Sequence, residues 1–132
     1  MGLIYSPQMT SEPTPALGGP ARSPVAIGTT LLGLGDSIAA GIGAPHVSEG
    51  FLPVLGQRLE ARCPGLTVVN LAIPGETSTS MLAPGGQLDR AEALIAEVGG
   101  GGGRIAPIAL SIGGNDVMEA ASVGDEQAMS LL

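Results

Sequence analysis

Three apolar segments, each ending in a short polar turn that contains glycine, constrain the fold of this chain most. The segments are "VAIGTTLLGLG" (25–35), "LTVVNLAI" (66–73) and "RIAPIALSIG" (104–113). They are rich in leucine and β-branched residues without strict polar alternation, which is typical of parallel strands covered on both faces. The stretches between them have helical periodicity. The sequence therefore predicts βαβ units and an α/β fold with a parallel sheet.

A first helix is expected between the first two strands, in "SEGFLPVLGQRLEARCPG". Phe51, Leu55 and Leu59 fall on one helical face, which predicts that this face packs on the sheet. Ser48 is the expected N-cap, and the Pro-Gly pair at 64–65 is expected to end the helix.

A second helix is expected in "GGQLDRAEALIAEVGGGGG", before the third strand. Its glycine run at 99–103 is predicted to be a flexible connection, because a phosphate-binding glycine loop would follow a strand and open a helix. The predicted apolar stripe of this helix is Leu88, Ala91, Leu94, Ile95 and Val98.

One folded domain is expected for a chain of 132 residues with 44% hydrophobic content and a mean hydropathy of +0.39. Residues 1–24 are rich in Pro, Ser and Thr and are predicted to be a disordered leader, with the domain in residues 25–132. The leader lacks the basic region and apolar core of a secretory signal. A soluble, cytoplasmic protein is therefore favoured, although the sequence does not fix the compartment.

The charge pattern excludes several classes of partner. The formal net charge is −7, and all five basic residues are scattered arginines. The sequence therefore predicts neither nucleic-acid binding, which needs a basic surface, nor binding to an anionic membrane. No apolar run approaches the roughly 20 residues of a membrane span. Cys63 is the single cysteine, so neither an internal disulfide nor a cysteine metal site is possible, and no cofactor or metal is predicted.

The polar turns lie at 35–37, 74–78 and 113–116. Right-handed crossovers bring the carboxyl ends of parallel strands to one edge of a sheet, so we expect a single site there. Ser37 is the candidate nucleophile for acyl transfer. Its own N–H, the N–H of Gly75 and the side-chain amide of Asn115 are the candidate oxyanion donors. Small-molecule esters are the corresponding substrates.

Each of these signals also has a purely structural interpretation. A Gly-Asp-Ser sequence commonly forms a capped turn, so Ser37 alone does not predict catalysis. For Asp36, we favour hydrogen bonding to backbone N–H groups of the turn over tuning of the serine. Nucleotide binding is disfavoured, because Gly33, Gly35 and Gly41 do not give the dinucleotide-binding spacing and the chain has no P-loop lysine.

The motifs "GLGDSIAAG", "NLAIPGETS" and "SIGGND" together resemble the first three blocks of the GDSL-type esterases and lipases of the SGNH hydrolase superfamily. The resemblance implies a flavodoxin-like three-layer sandwich with a parallel sheet. It also implies Ser37 as nucleophile, with Gly75 and Asn115 completing the oxyanion hole. Ile38 stands where the family motif has leucine.

One departure from the family pattern concerns the general base. The family's late Asp-x-x-His is absent from the sequence, and the single histidine, His46, lies between the first turn and the first helix. We expect the chain to be the N-terminal portion of such a hydrolase, nearly inactive alone and able to self-associate through an exposed sheet edge. The alternative is a non-catalytic module that binds small molecules or carbohydrates and has lost the base.

Overall fold

A computed structural model describes residues 3–5 and 28–129 of the chain. Four strands and several helices make up these residues. In chain order they are β1 (Leu3–Tyr5), β2 (Thr29–Gly35), α1 (Ser37–Ala40), a 3₁₀ turn (Val47–Glu49), α2 (Phe51–Glu60), β3 (Thr67–Asn70), α3 (Ser78–Leu82), α4 (Gln87–Gly100), β4 (Arg104–Ser111) and α5 (Gly114–Met129).

The strands form one sheet in the order β1-β3-β2-β4. β2 is parallel to both β3 and β4, which confirms the predicted α/β fold with a parallel sheet. All seven residues of β2 are buried, as expected for a central strand that is covered on both faces.

β1 was not predicted from the sequence. Leu3–Tyr5 pairs antiparallel with β3, with Leu3 opposite Asn70, although these residues fall in the segment assigned to the leader. A three-residue strand carries no periodicity that a sequence pattern could reveal. The rest of the proposed leader, residues 1–2 and 6–24, lies outside the described residues.

Helices cover both faces of the sheet and give the three layers that the resemblance implies. On one face, Leu52 of α2 packs with Leu31 and Val68. On the other face, Met81 of α3 and Ala91 of α4 pack with the β2 residues whose side chains point to that face. Adjacent residues such as Leu31 and Leu32 therefore enter opposite cores, because side chains alternate along a strand.

The predicted start and inner face of α2 need correction. Its N-cap is Gly50, and Ser48 lies in the preceding 3₁₀ turn. Leu52 is buried, whereas Phe51 is 40% exposed. A Cβ at Gly56 would lie 2.5 Å from a methyl carbon of Val68, so this glycine allows the helix to approach β3 closely.

The predicted stripe of α4 is also partly wrong. Gln87 and Ala91 are the buried residues of this helix, and Leu94 packs against the same core. Leu88 and Ile95, which the sequence placed inside, are 36% and 42% exposed. The helix is rotated relative to the prediction because a polar residue, Gln87, occupies its innermost position.

β4 is the outer strand on its side of the described sheet. Its Ile108 and Leu110 side chains are 51% and 58% exposed. Pro107 lies in the same strand, a position that proline tolerates because an outer strand needs fewer backbone donors. Among the described residues, no helix is long and apolar enough to cross a membrane.

Candidate active site

Ser37 is the first residue of α1 and follows β2 after a single intervening residue, Asp36. Asp36 is the N-cap, and its carboxylate accepts a hydrogen bond from the N–H of Ile38 at 3.0 Å. α1 ends after one turn at Gly41, whose φ of +87° is a left-handed conformation suited to glycine. The half-buried Ser37 is thus held between a buried strand and a capped turn.

Gly35 ends β2 where the backbone leaves the sheet. Its φ is +130°, which side chains other than glycine rarely adopt. A Cβ at this position would overlap the carbonyl oxygen of Ser111 at the end of β4. The N–H of Asp36 donates to that same oxygen at 2.9 Å.

The second turn leads from β3 into α3 through Gly75, which is exposed and has a φ of +84°. Thr77 caps α3 in a reciprocal capping box with Ser80. Two hydrogen bonds therefore fix the start of the helix just beyond Gly75. In the described part of the chain, the N–H groups of Ser37 and Gly75 donate no hydrogen bond to another residue.

Asn115 lies in the first turn of α5. Its side-chain amide donates to the carbonyl oxygen of Glu76 at 2.8 Å. An amide nitrogen carries two protons, so the second proton of Asn115 is left for another acceptor. The contact places the third turn against the residue that follows Gly75.

Hydrogen bonds join all three turns at one edge of the sheet, as the sequence predicts. Asp36 bonds to Ser111 at the end of β4, and the N–H of Ile73 donates to the carbonyl oxygen of Gly35 at 3.0 Å. Together with the contact between Asn115 and Glu76, these bonds connect the ends of β2, β3 and β4.

Sequence reasoning missed two residues of this site, Glu76 and Gln87. Both are buried, with Gln87 fully buried. The Gln87 amide bonds to both backbone groups of Gly35 and to the carboxylate of Glu76. The only sequence signal was a glutamine immediately after two glycines at a helix start, which does not distinguish a buried side chain from an exposed one.

Asp116 forms a second connection between the turns. Its carboxylate accepts hydrogen bonds from the N–H of Ser78 at 3.0 Å and from the Ser78 hydroxyl. The hydrogen bond from the Ser78 hydroxyl is the largest cause of a lowered pKa for Asp116. Desolvation opposes it, and the weaker effect of the bond from the Ser78 N–H lowers the pKa further. Both bonds favour the ionised carboxylate.

We expect Asp116 to stabilise the fold in a pH-dependent way. Because its pKa is lower in the folded chain, its contribution is fully present above the ordinary value of 3.8 and is lost as pH falls through the folded-state value. Thermal unfolding of the wild type and Asp116→Asn across pH 2 to 7 tests this. The wild type should have the higher Tm near neutral pH, and the gap should close at the acid end. A Tm difference between the two proteins that does not change with pH would contradict the pH-dependent role of Asp116.

The described residues include no imidazole that is hydrogen-bonded to Ser37. His46 is exposed and lies at the N-cap position of the 3₁₀ turn before α2, where its side chain makes no capping hydrogen bond. The Ser37 hydroxyl donates no hydrogen bond to any described residue. Within the same ranges, no group of three or more His, Cys, Asp or Glu side chains is placed to hold a metal ion.

Comparison with known proteins decides the family. The model of the GDSL-like lipase/acylhydrolase family matches residues 34–129. The chain belongs to this family. The GDSL-like match begins just before Asp36 and Ser37 and includes the turns that carry Gly75 and Asn115.

A curated relative of this GDSL-like chain is Esterase TesA of Pseudomonas aeruginosa, 38% identical over 87 residues. The alignment covers 66% of this chain and 37% of TesA. The chain thus spans little more than a third of that relative. No solved structure matches it.

Proposed function

We propose that Ser37 is the nucleophile of a serine ester hydrolase that acts through an acyl-enzyme. The observation that carries the proposal is the set of hydrogen bonds that joins the three turns containing Ser37, Gly75 and Asn115. Membership of the GDSL-like lipase/acylhydrolase family and the similarity to an esterase support the same chemistry. Asp36 supports the turn from the N-cap.

In the proposed reaction, the Ser37 oxygen attacks the ester carbonyl carbon and its proton passes to an imidazole base. The N–H groups of Ser37 and Gly75 and the Asn115 amide stabilise the negative oxygen that forms. The carbon–oxygen bond to the alcohol then breaks, and the alcohol leaves with the proton. Water then attacks the acyl carbon and gives a proton to the imidazole, which passes it to the Ser37 oxygen as the acid is released, so the cycle needs no cofactor.

The charges around the site favour esters that are uncharged near the reacting bond. Three carboxylates, those of Asp36, Glu76 and Asp116, lie on the three turns, and the chain as a whole is acidic. These groups would repel an anionic substrate. Small neutral esters are therefore the proposed substrate class.

Hydrolysis of p-nitrophenyl acetate by the 132-residue chain tests the proposal against a non-catalytic binding module. Free imidazole in the assay supplies the base that the Asp-x-x-His motif would provide. We expect p-nitrophenol release above the rate of imidazole alone, and no excess after unfolding in urea. Saturable binding of a non-hydrolysable ester analogue without any excess release would instead favour the binding module.

We also propose that the outer edge of β4 lets two copies of the chain associate. In the described sheet, β4 has no neighbouring strand on its outer side, and its Ile108 and Leu110 side chains are exposed. Such an edge suits strand pairing. Light scattering should show a mass that rises with concentration for the wild type. Ile108→Lys should remove this rise, while Val47→Lys, at another exposed apolar residue, should not. If both variants associate to the same extent, the outer edge of β4 is not the surface through which the copies associate.

A further inference from the structure

Gln87 is the most deeply buried polar side chain of the described residues, with an exposed fraction of 0%. It begins α4, far from Ser37 in sequence, and shares its inner face with Ala91. An unpaired amide at such a place would be costly, so its partners indicate what the position requires.

The Gln87 side chain holds one residue at two points. Its Oε1 accepts the N–H of Gly35 at 2.5 Å, and its Nε2 donates to the carbonyl oxygen of Gly35 at 3.0 Å. This pair of bonds imitates the pairing of a neighbouring strand. It therefore fixes the peptide groups on both sides of Gly35, two residues before Ser37.

The same amide reaches the second turn. Gln87 Nε2 also donates to Oε2 of Glu76 at 2.7 Å, and the other carboxylate oxygen of Glu76 accepts a hydrogen bond from Ser80. Glu76 follows Gly75 directly, and its carbonyl oxygen holds Asn115. One chain of bonds, buried around Gln87, thus runs from the turn of the candidate nucleophile through Glu76, the residue after Gly75, to Asn115.

We propose that Gln87, together with Glu76, is a positioning residue that fixes Ser37 relative to Gly75 and Asn115. This inference rests on the proposed function, because it assigns these three residues their catalytic roles. Gln87 itself touches no reacting atom. Both of its amide protons and its oxygen are used within the network, so its contribution is geometric.

The test follows the reaction of Ser37 with a short alkyl fluorophosphonate in the presence of imidazole. The Ser37 oxygen forms a bond to phosphorus, fluoride leaves, and imidazole takes the proton. In Gln87→Met, which keeps an apolar side chain of similar size, the maximal labelling rate should fall about tenfold to a hundredfold, because small displacements of reacting groups have effects of this size. The half-saturating probe concentration should change little.

Three further variants separate positioning from simple loss of stability. Gln57→Met makes the same replacement at an exposed site on α2 and should label like the wild type. Ala91→Gly weakens the same face of α4 without touching the network. Its labelling rate therefore measures the effect of lower stability alone. The double variant Gln87→Glu with Glu76→Gln keeps an amide-carboxylate pair with its members exchanged and should recover part of the rate lost in Gln87→Met.

Hydrogen exchange at the Gly35 amide gives a readout that does not depend on reactivity. Protection of this amide should fall in Gln87→Met and remain in Gln57→Met. The inference is overturned if Gln87→Met is labelled as fast as the wild type. It is also overturned if Gln87→Met and Ala91→Gly have equal Tm values and the labelling rate falls no more in the first than in the second. If the wild-type chain is not labelled but the protection of its Gly35 amide still depends on Gln87, the proposed function is wrong, and Gln87 then has only a structural role.

Discussion

Gly35→Ala is expected to lower the free energy of unfolding by about 2–6 kcal/mol. Its φ of +130° would force a side-chain residue into a sparsely populated conformation, which costs about 1–3 kcal/mol. The new Cβ would also overlap the carbonyl oxygen of Ser111, and relief of such overpacking typically costs about 1–3 kcal/mol more. Urea unfolding followed by circular dichroism measures the change.

Gly99→Ala is the matched control for this prediction. Gly99 lies in α4, and a Cβ there would meet no atom within 4 Å. Because alanine favours the helix over glycine by about 1 kcal/mol, this variant should be as stable as the wild type or more so. An unchanged urea midpoint in Gly35→Ala would contradict the close contact between the ends of β2 and β4.

Ser37→Ala is expected to reduce fluorophosphonate labelling of the folded chain to the level of the urea-unfolded chain. The variant removes the oxygen that forms the covalent bond in the proposed reaction. Its stability should stay within about 0.5 kcal/mol of the wild type, because Ser37 is half-buried and no described residue depends on its hydroxyl. Labelling rates and Tm values measure the two effects separately.

Ser122→Ala serves as the control for loss of a hydroxyl group. Ser122 is exposed on α5, and its hydroxyl bonds to backbone carbonyls of the same helix. This variant should label like the wild type. If Ser37→Ala retained the wild-type rate, the label would be on another residue and the proposed nucleophile would be wrong.

Much of the fold and of the turn arrangement could be predicted from sequence. The three core strands have continuous apolar runs, and the topology of βαβ units then requires their carboxyl ends to meet. The family motifs fall in these turns, so Ser37, Gly75 and Asn115 could be named as candidates before their surroundings were known.

The parts that could not be predicted depend on tertiary contacts rather than on periodicity. Gln87 is polar, and a polar residue at a helix start is ordinarily assigned to the exposed side. Its burial depends on Gly35 and Glu76, which are distant in sequence and supply its partners. Leu88 was placed inside for the same reason, since a pattern of apolar residues alone cannot show that an amide occupies the inner position.

The most direct test of Ser37 as the nucleophile is peptide mapping by mass spectrometry of the wild-type chain after reaction with the fluorophosphonate and imidazole. We expect one adduct per chain, located on Ser37, and its loss when the chain is first unfolded in urea. No adduct on Ser37, or adducts spread over several serines at equal rates in the folded and unfolded chains, would contradict this expectation.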